Sequence, residues 1–256
     1  MRWIPVQLAW LLAAALMTQA AADDSCELKV GWEPYAPYTF SGDDGQATGI
    51  DIDLIRAAGE EVGCTTEFQE MPWARILREV EQGTLDVATS ASRNEDRSTW
   101  GLFSTPYRKS ENAIYVRVGE ESKFQLDSLT DVPKRELRLG VIVDYYYGPE
   151  IEEVAKDPEF AAWMDGAPDY ATNIRKLLNG RVDGILAEDV GVMQAELRRL
   201  GAKDAITRHP LYIPGEELHF LFSQQTVDPA IVAKIDQSVS QMRADGRFDA
   251  ILAKYF

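Results

Sequence analysis

The chain has 256 residues, 45% hydrophobic, 10% aromatic and 27% charged, which fits two lobes of about 100–120 residues and excludes a disordered tract, a collagen repeat or a disulfide miniprotein. With 42 acidic against 26 basic residues, a formal net charge of -16 repels phosphate backbones and anionic lipid, which argues against nucleic acid and acidic membranes as partners. The two histidines and two cysteines are not clustered, so no metal site or cofactor is expected.

Residues 1–22 read as a secretory signal: Arg2, the apolar run Leu8 to Met17, then the small residues Ala20-Ala21-Ala22. The apolar run is about half of the roughly 20 residues that cross a bilayer. Asp24-Ser25 before Cys26 do not make a lipobox. The expected location is the periplasm, where two thiols normally pair. Cys26 and Cys64 each precede a strand-like stretch, so neighbouring parallel strands would bring them together; the alternative is two free thiols.

Glu27–Gly31 reads as a strand, followed by a Pro/Gly/Asp-rich loop and a helix over Ile50–Val62 with Leu54, Ala57, Ala58 and Val62 on one face. A strand near Thr65–Phe68, a helix Trp73–Glu81 ended by Gly83, and a strand Leu85–Ala88 complete a βαβαβ unit with right-handed crossovers. The pattern recurs: a strand Leu137–Ile142, helices about Tyr146–Ala155 and Asn173–Leu178, and a strand Val182–Leu186. Helices over Pro229–Ala244 and Phe248–Tyr255 close the chain. Two such α/β lobes set the C-terminal ends of their strands around a shared crevice, where small ligands bind.

Residues just after strands are therefore the candidates. Tyr35, in a proline-stiffened aromatic loop, reads either as a wall for a ligand or as a plug over the lobe. Trp73 begins a helix and favours the crevice, while Arg75 points elsewhere. The stretch Thr89 to Arg97 offers hydroxyls, backbone N–H groups and arginines that suit an anion, against the plain reading of solvated surface arginines. In the second lobe Asp144-Tyr145-Tyr146-Tyr147 and Glu188-Asp189 follow strands; the acids suit a positive ligand group, a helix cap, or both.

These residues resemble a known family. Tyr35-Ala36-Pro37-Tyr38, Gly49-Ile50-Asp51-Ile52-Asp53-Leu54, Gly83-x-x-Asp86, Ser92 to Arg97, Phe103-Ser104-x-Pro106-Tyr107, Gly180-x-x-Asp183 and Lys254-Tyr255-Phe256 are together similar to the extracellular solute-binding proteins of family 3, the polar amino-acid-binding type that serves ABC importers. The resemblance implies an α/β, two-lobed periplasmic-binding-protein-like fold of type II with the ligand cleft between lobes. It implies that Arg97 holds a ligand carboxylate, assisted by Ser90 and Ser92, that Tyr35 and Trp73 sandwich the ligand, and that Glu188 pairs with an α-ammonium. Three positions depart from the family pattern: Asn94 stands where Thr is usual, the 144–147 turn is bulky, and Glu188 replaces Asp. The carboxylate half of the site is kept and the ammonium half altered.

The expected protein is a monomeric hinged clamp. Residues 23–109 and 217–256 form lobe 1 and residues 110–216 lobe 2, with crossings near Arg108–Ser110 and Pro214–Glu217. Ligand docks on lobe 1; Glu188 and a tyrosine, taken as Tyr146, close over it. A membrane permease or a sensor protein receives the closed form. The alternatives are the binding component of a sensor or redox system, or a prephenate/arogenate dehydratase-like enzyme in which Glu188 is a general acid of raised pKa.

Overall fold

The computed structural model describes residues 26–255; the expected signal at residues 1–22 and the terminal Phe256 lie outside them. In chain order the first elements are β1 (Cys26–Trp32), β2 (Phe40–Ser41), β3 (Ala47–Thr48), α1 (Ile50–Glu61), β4 (Cys64–Glu70), α2 (Trp73–Glu81), β5 (Val87–Ser92), α3 (Glu95–Trp100), β6 (Gly101–Phe103) and β7 (Arg108–Lys109). Then come β8 (Ala113–Arg117), α4 (Asp131–Lys134), β9 (Leu139–Ile142), α5 (Pro149–Ala155), α6 (Pro158–Ala161), β10 (Met164–Ala167), α7 (Tyr170–Leu178), β11 (Gly184–Ala187), α8 (Val190–Arg199) and β12 (Ile206–Arg208). The chain returns through β13 (Glu217–Ser223) to α9 (Pro229–Asp245) and α10 (Arg247–Leu252).

Two sheets result. The first runs β4-β1-β5-β13-β6, with β7 also paired to β13; the second runs β10-β9-β11-β8-β12. In each, three strands are parallel and the rest antiparallel. The parallel strands carry the helical crossovers, so their C-terminal ends and the helix starts meet at one rim. The apolar spacing explains the helices: α2 buries Trp73, Ile76 and Val80, and α1 buries Ile50, Leu54, Ile55 and Ala58. At the rim's far end Cys26 and Cys64 are register partners of β1 and β4 and form a disulfide.

Between the sheets the chain passes through residues 110–112 and 209–216. The two passages touch: a Cβ on Gly215 would lie 2.0 Å from the Ser110 carbonyl oxygen, so only glycine fits there. Ser110 N donates to Glu216 O (2.8 Å). The buried Asn112 donates through Nδ2 to Pro214 O (2.6 Å) and to Tyr147 O (2.7 Å).

Several expected boundaries move. The strand expected at Leu85–Ala88 is displaced to Val87–Ser92, because Thr84 N and Leu85 N still donate to Glu79 O and form the turn out of α2. Ser90 and Ser92 thus belong to the strand itself. The helix expected from Tyr146 starts at Pro149, since Tyr145 and Tyr146 turn to the cleft, Tyr147 to the core, and Pro149 takes a first-turn position. That expected at Asn173–Leu178 starts earlier, at Tyr170, where Asp169 accepts from Thr172 N. The last expected helix ends at Leu252.

Candidate functional site

Each expected site residue reaches the rim from its own element. Tyr35 follows β1, Trp73 opens α2, Ser90 and Ser92 end β5, Arg97 lies in α3, Tyr146 follows β9 and Glu188 follows β11. All of them line one cleft between the sheets, together with Glu33, Thr89 and Tyr145.

Arg97 sits in a helix whose N-cap, Asn94, accepts from Arg97 N (2.8 Å), so the departure at Asn94 keeps the capping role. The arginine is buried, its guanidinium 5.4 Å from the centre of the Trp73 ring. Nη1 donates to Ser92 O and Nη2 to Asp144 O, both at 2.9 Å. Burial pulls its pKa down, against the opposing fields of Glu188 and Asp144. Among the described residues no carboxylate forms an ion pair with it. A buried guanidinium held by two carbonyls is a ready site for an anion.

Glu188 faces Arg97's side of the cleft from the other sheet. It accepts from Tyr35 Oη (2.8 Å) and Ser92 Oγ (3.2 Å). Its neighbour Asp189 caps α8, accepting from Gly191 N (2.8 Å) and Val192 N (3.1 Å). The capping reading of this acidic pair thus falls on Asp189, and Glu188 makes no cap bond. Burial pushes the Glu188 carboxyl up from 4.5 to about 7 despite its hydroxyl donors and nearby Arg108.

Glu33 escaped the sequence reading. Its carboxylate accepts from Tyr145 Oη (2.5 Å) and Trp73 N (3.1 Å), and burial raises its pKa to about 7 as well. The cleft therefore holds two acids, the buried Glu188 and the half-buried Glu33, against one arginine with no carboxylate partner among the described residues.

A second missed group underlies the first. Asp51, fully buried in the first turn of α1, accepts from Ser90 Oγ (2.5 Å) and Tyr107 Oη (2.6 Å). Gly49 makes this possible: its φ of 122° lets the chain run so close to Tyr38 that any Cβ would strike the Tyr38 carbonyl. Arg108 lies 3.6 Å from Asp51, donates to Ser90 Oγ (2.9 Å), and pairs across the cleft with Asp189 (3.1 Å). Its guanidinium stacks 3.5 Å from the Tyr38 ring centre. Burial alone would lower the Arg108 pKa; Asp51 and the surrounding tyrosines reverse this and hold it well above its ordinary value. The Ser90 hydroxyl is therefore engaged by Asp51 and Arg108, and the expectation that it assists a carboxylate at Arg97 meets a side chain already committed.

The three consecutive tyrosines part company. Tyr147 is buried in the second core, and its hydroxyl accepts from Ile142 N (2.8 Å). Tyr146 is half-buried on the cleft edge. Tyr145, not Tyr146, enters the centre, edge-on to Tyr35, Trp73 and Tyr170 at 6.2–6.4 Å. Asp144, with φ 61°, turns the chain so that its carbonyl also accepts from Trp73 Nε1 (3.1 Å). The space left among these side chains, traced by the centres of water-sized spheres, is about 20 Å³, room for little more than a water.

A family model described as bacterial extracellular solute-binding proteins, family 3, matches residues 28–256. The chain belongs to that family. It is 25% identical over 240 residues to the L-cystine-binding protein TcyJ of Escherichia coli (strain K12), covering 90% of this chain and 82% of that protein. Among solved structures, an ancestral arginine-binding protein bound to arginine superposes with a TM-score of 0.76 at 25% identity, over 90% of this chain and 98% of that one. The ancestral amino-acid-binding protein AncCDT-1, a precursor of cyclohexadienyl dehydratase, superposes with a TM-score of 0.70 at 25% identity, over 90% and 95% of the two chains. The family members share the two-lobed architecture, and the cleft described above lies between the lobes of this chain.

Proposed function

We propose that the protein is a periplasmic binding protein that captures a small carboxylate-bearing ligand, an amino acid or close relative, and presents it to an ABC importer. The lobes are residues 23–109 with 217–256 and residues 110–216. The observation that carries this reading is one cleft with a buried arginine free of carboxylate partners on one lobe and a buried acid, Glu188, on the other. A zwitterion matches that polarity: carboxylate to Arg97, ammonium to Glu188. Glu33 gives the ligand a second acid, which favours a side chain tipped by a cation or a strong donor. Tyr35 and Trp73 supply the flanking aromatic surface.

Calorimetric titration with a panel of amino acids tests the reading. One member binds, and Arg97→Ala abolishes that binding while the circular dichroism spectrum stays native. Unchanged affinity in Arg97→Ala removes the assignment.

One observation favours a second reading. Glu188 is a buried carboxyl with a pKa near neutrality, as a general acid requires. A dehydratase acting on prephenate or arogenate would use it to protonate a leaving hydroxyl. Incubation with prephenate and assay for phenylpyruvate separates the readings, and turnover lost in Glu188→Gln would establish the enzyme.

A further inference from the structure

The turn at residues 144–147 meets the lobe 1 site in a specific way. Arg97 Nη2 and Trp73 Nε1 converge on a single acceptor, the Asp144 carbonyl oxygen. One residue on, the Tyr145 ring stands among Tyr35, Trp73 and Tyr170, and its hydroxyl reaches Glu33. An acceptor on the arginine, a body between the aromatics and a donor on the distal acid are the features the cleft asks of a ligand. Two hollows adjoin the cleft. A space of about 510 Å³ outside the cleft shares Arg97, Tyr145 and Tyr146 with it, and one of about 730 Å³ shares Glu33.

We propose that the Asp144–Tyr145 turn is an internal competitor for the ligand site. It fills the carboxylate, aromatic and distal-acid positions with the protein's own chain, so the lobes close on it alone and a ligand enters only as the turn withdraws. The inference rests on the reading of Arg97 as the carboxylate holder. It makes Tyr145 a determinant of specificity: a ligand must make more of these contacts than the turn does, which favours a carboxylate carrying a long, donor-tipped side chain over a small one. Withdrawal has somewhere to go, because Tyr145 lines both the cleft and the neighbouring hollow of about 510 Å³.

The test uses the protein with no ligand added. Spin labels at the exposed positions Glu81→Cys and Glu153→Cys, one on each lobe, report the distance between lobes, and the native thiols are tied up in their disulfide. The wild-type background gives a predominantly short distance. Tyr145→Ala loses that population in favour of a longer one, and Tyr145→Phe, which keeps the ring and loses the Glu33 bond, falls between them. Tyr145→Leu takes the place of Tyr145→Ala if the latter does not melt cooperatively. A wild type that is predominantly open, or a Tyr145→Ala distribution superimposable on wild type, overturns the proposal. Because no ligand is present, that failure is separate from failure of the binding reading, which shows only in the Arg97→Ala titration.

Discussion

Raising the pH should open this protein. Glu33 and Glu188 titrate near 4.5 when hydrated and near 7 in the closed cleft, where burial is the dominant cause. Between those values the closed form holds more protons than the open one, so closure is fully favoured at the acid end. It weakens as pH rises through the window and changes no further above about 7. A difference of about 2.5 units corresponds to about 3–4 kcal/mol for each acid, or roughly 300-fold in the open–closed equilibrium. Glu188 and Asp169 help to raise Glu33, and Asp189 helps to raise Glu188, so the titration steps belong to the group and the combined effect is smaller than two independent acids would give. Arg97 and Arg108 keep their charge throughout. Small-angle scattering between about pH 5 and about pH 8 measures the outcome as a rising radius of gyration. The Glu33→Gln/Glu188→Gln double variant should stay flat. A wild type that opens on acidification, or a double variant with the wild-type slope, refutes the reasoning.

Three further outcomes follow from the same geometry. Reducing Cys26–Cys64 releases a loop with a sequence separation of 38, which in the chain-entropy account is worth about 4 kcal/mol; melting with and without reductant should differ by roughly 8–16 °C. Arg108→Leu leaves Asp51 and Asp189 without their shared cation and should destabilise by about 3–5 kcal/mol in urea unfolding, with part recovered when Asp51→Asn is added. A ligand ammonium docking at Glu188 should expel a proton near neutral pH, so calorimetric heats will vary with the ionisation enthalpy of the buffer; Glu188→Gln should remove that dependence.

The alternation of strands and helices, the two lobes and the meeting of Cys26 with Cys64 were readable because each rests on local periodicity or on strand order. The place of Arg97 at the cleft was legible only through the resemblance carried by Ser92 to Arg97, since an arginine alone reads as solvated surface. Glu33 was not, although it stands beside Tyr35: its role depends on Trp73 N from the start of α2 and on Tyr145 from the other lobe, 112 residues away. Arg108 looked like linker at a crossing, and only the convergence of Asp51, Ser90, Tyr38 and Asp189 buries it. Tyr145, Tyr146 and Tyr147 are chemically identical in sequence. What separates them is the left-handed backbone at Asp144, which a short-range pattern does not encode.

Asn112 ties these parts into a mechanism. Its one amide nitrogen grips the returning passage at Pro214 and the root of the tyrosine turn at Tyr147, while its own backbone is the outgoing passage. The three segments are joined there by two hydrogen bonds. In the proposed clamp, a bend in either passage would pull on the base of the turn, as a crank converts rotation at its axle into a stroke at its arm. Bending the pivot and moving Tyr145 are, on this linkage, one motion.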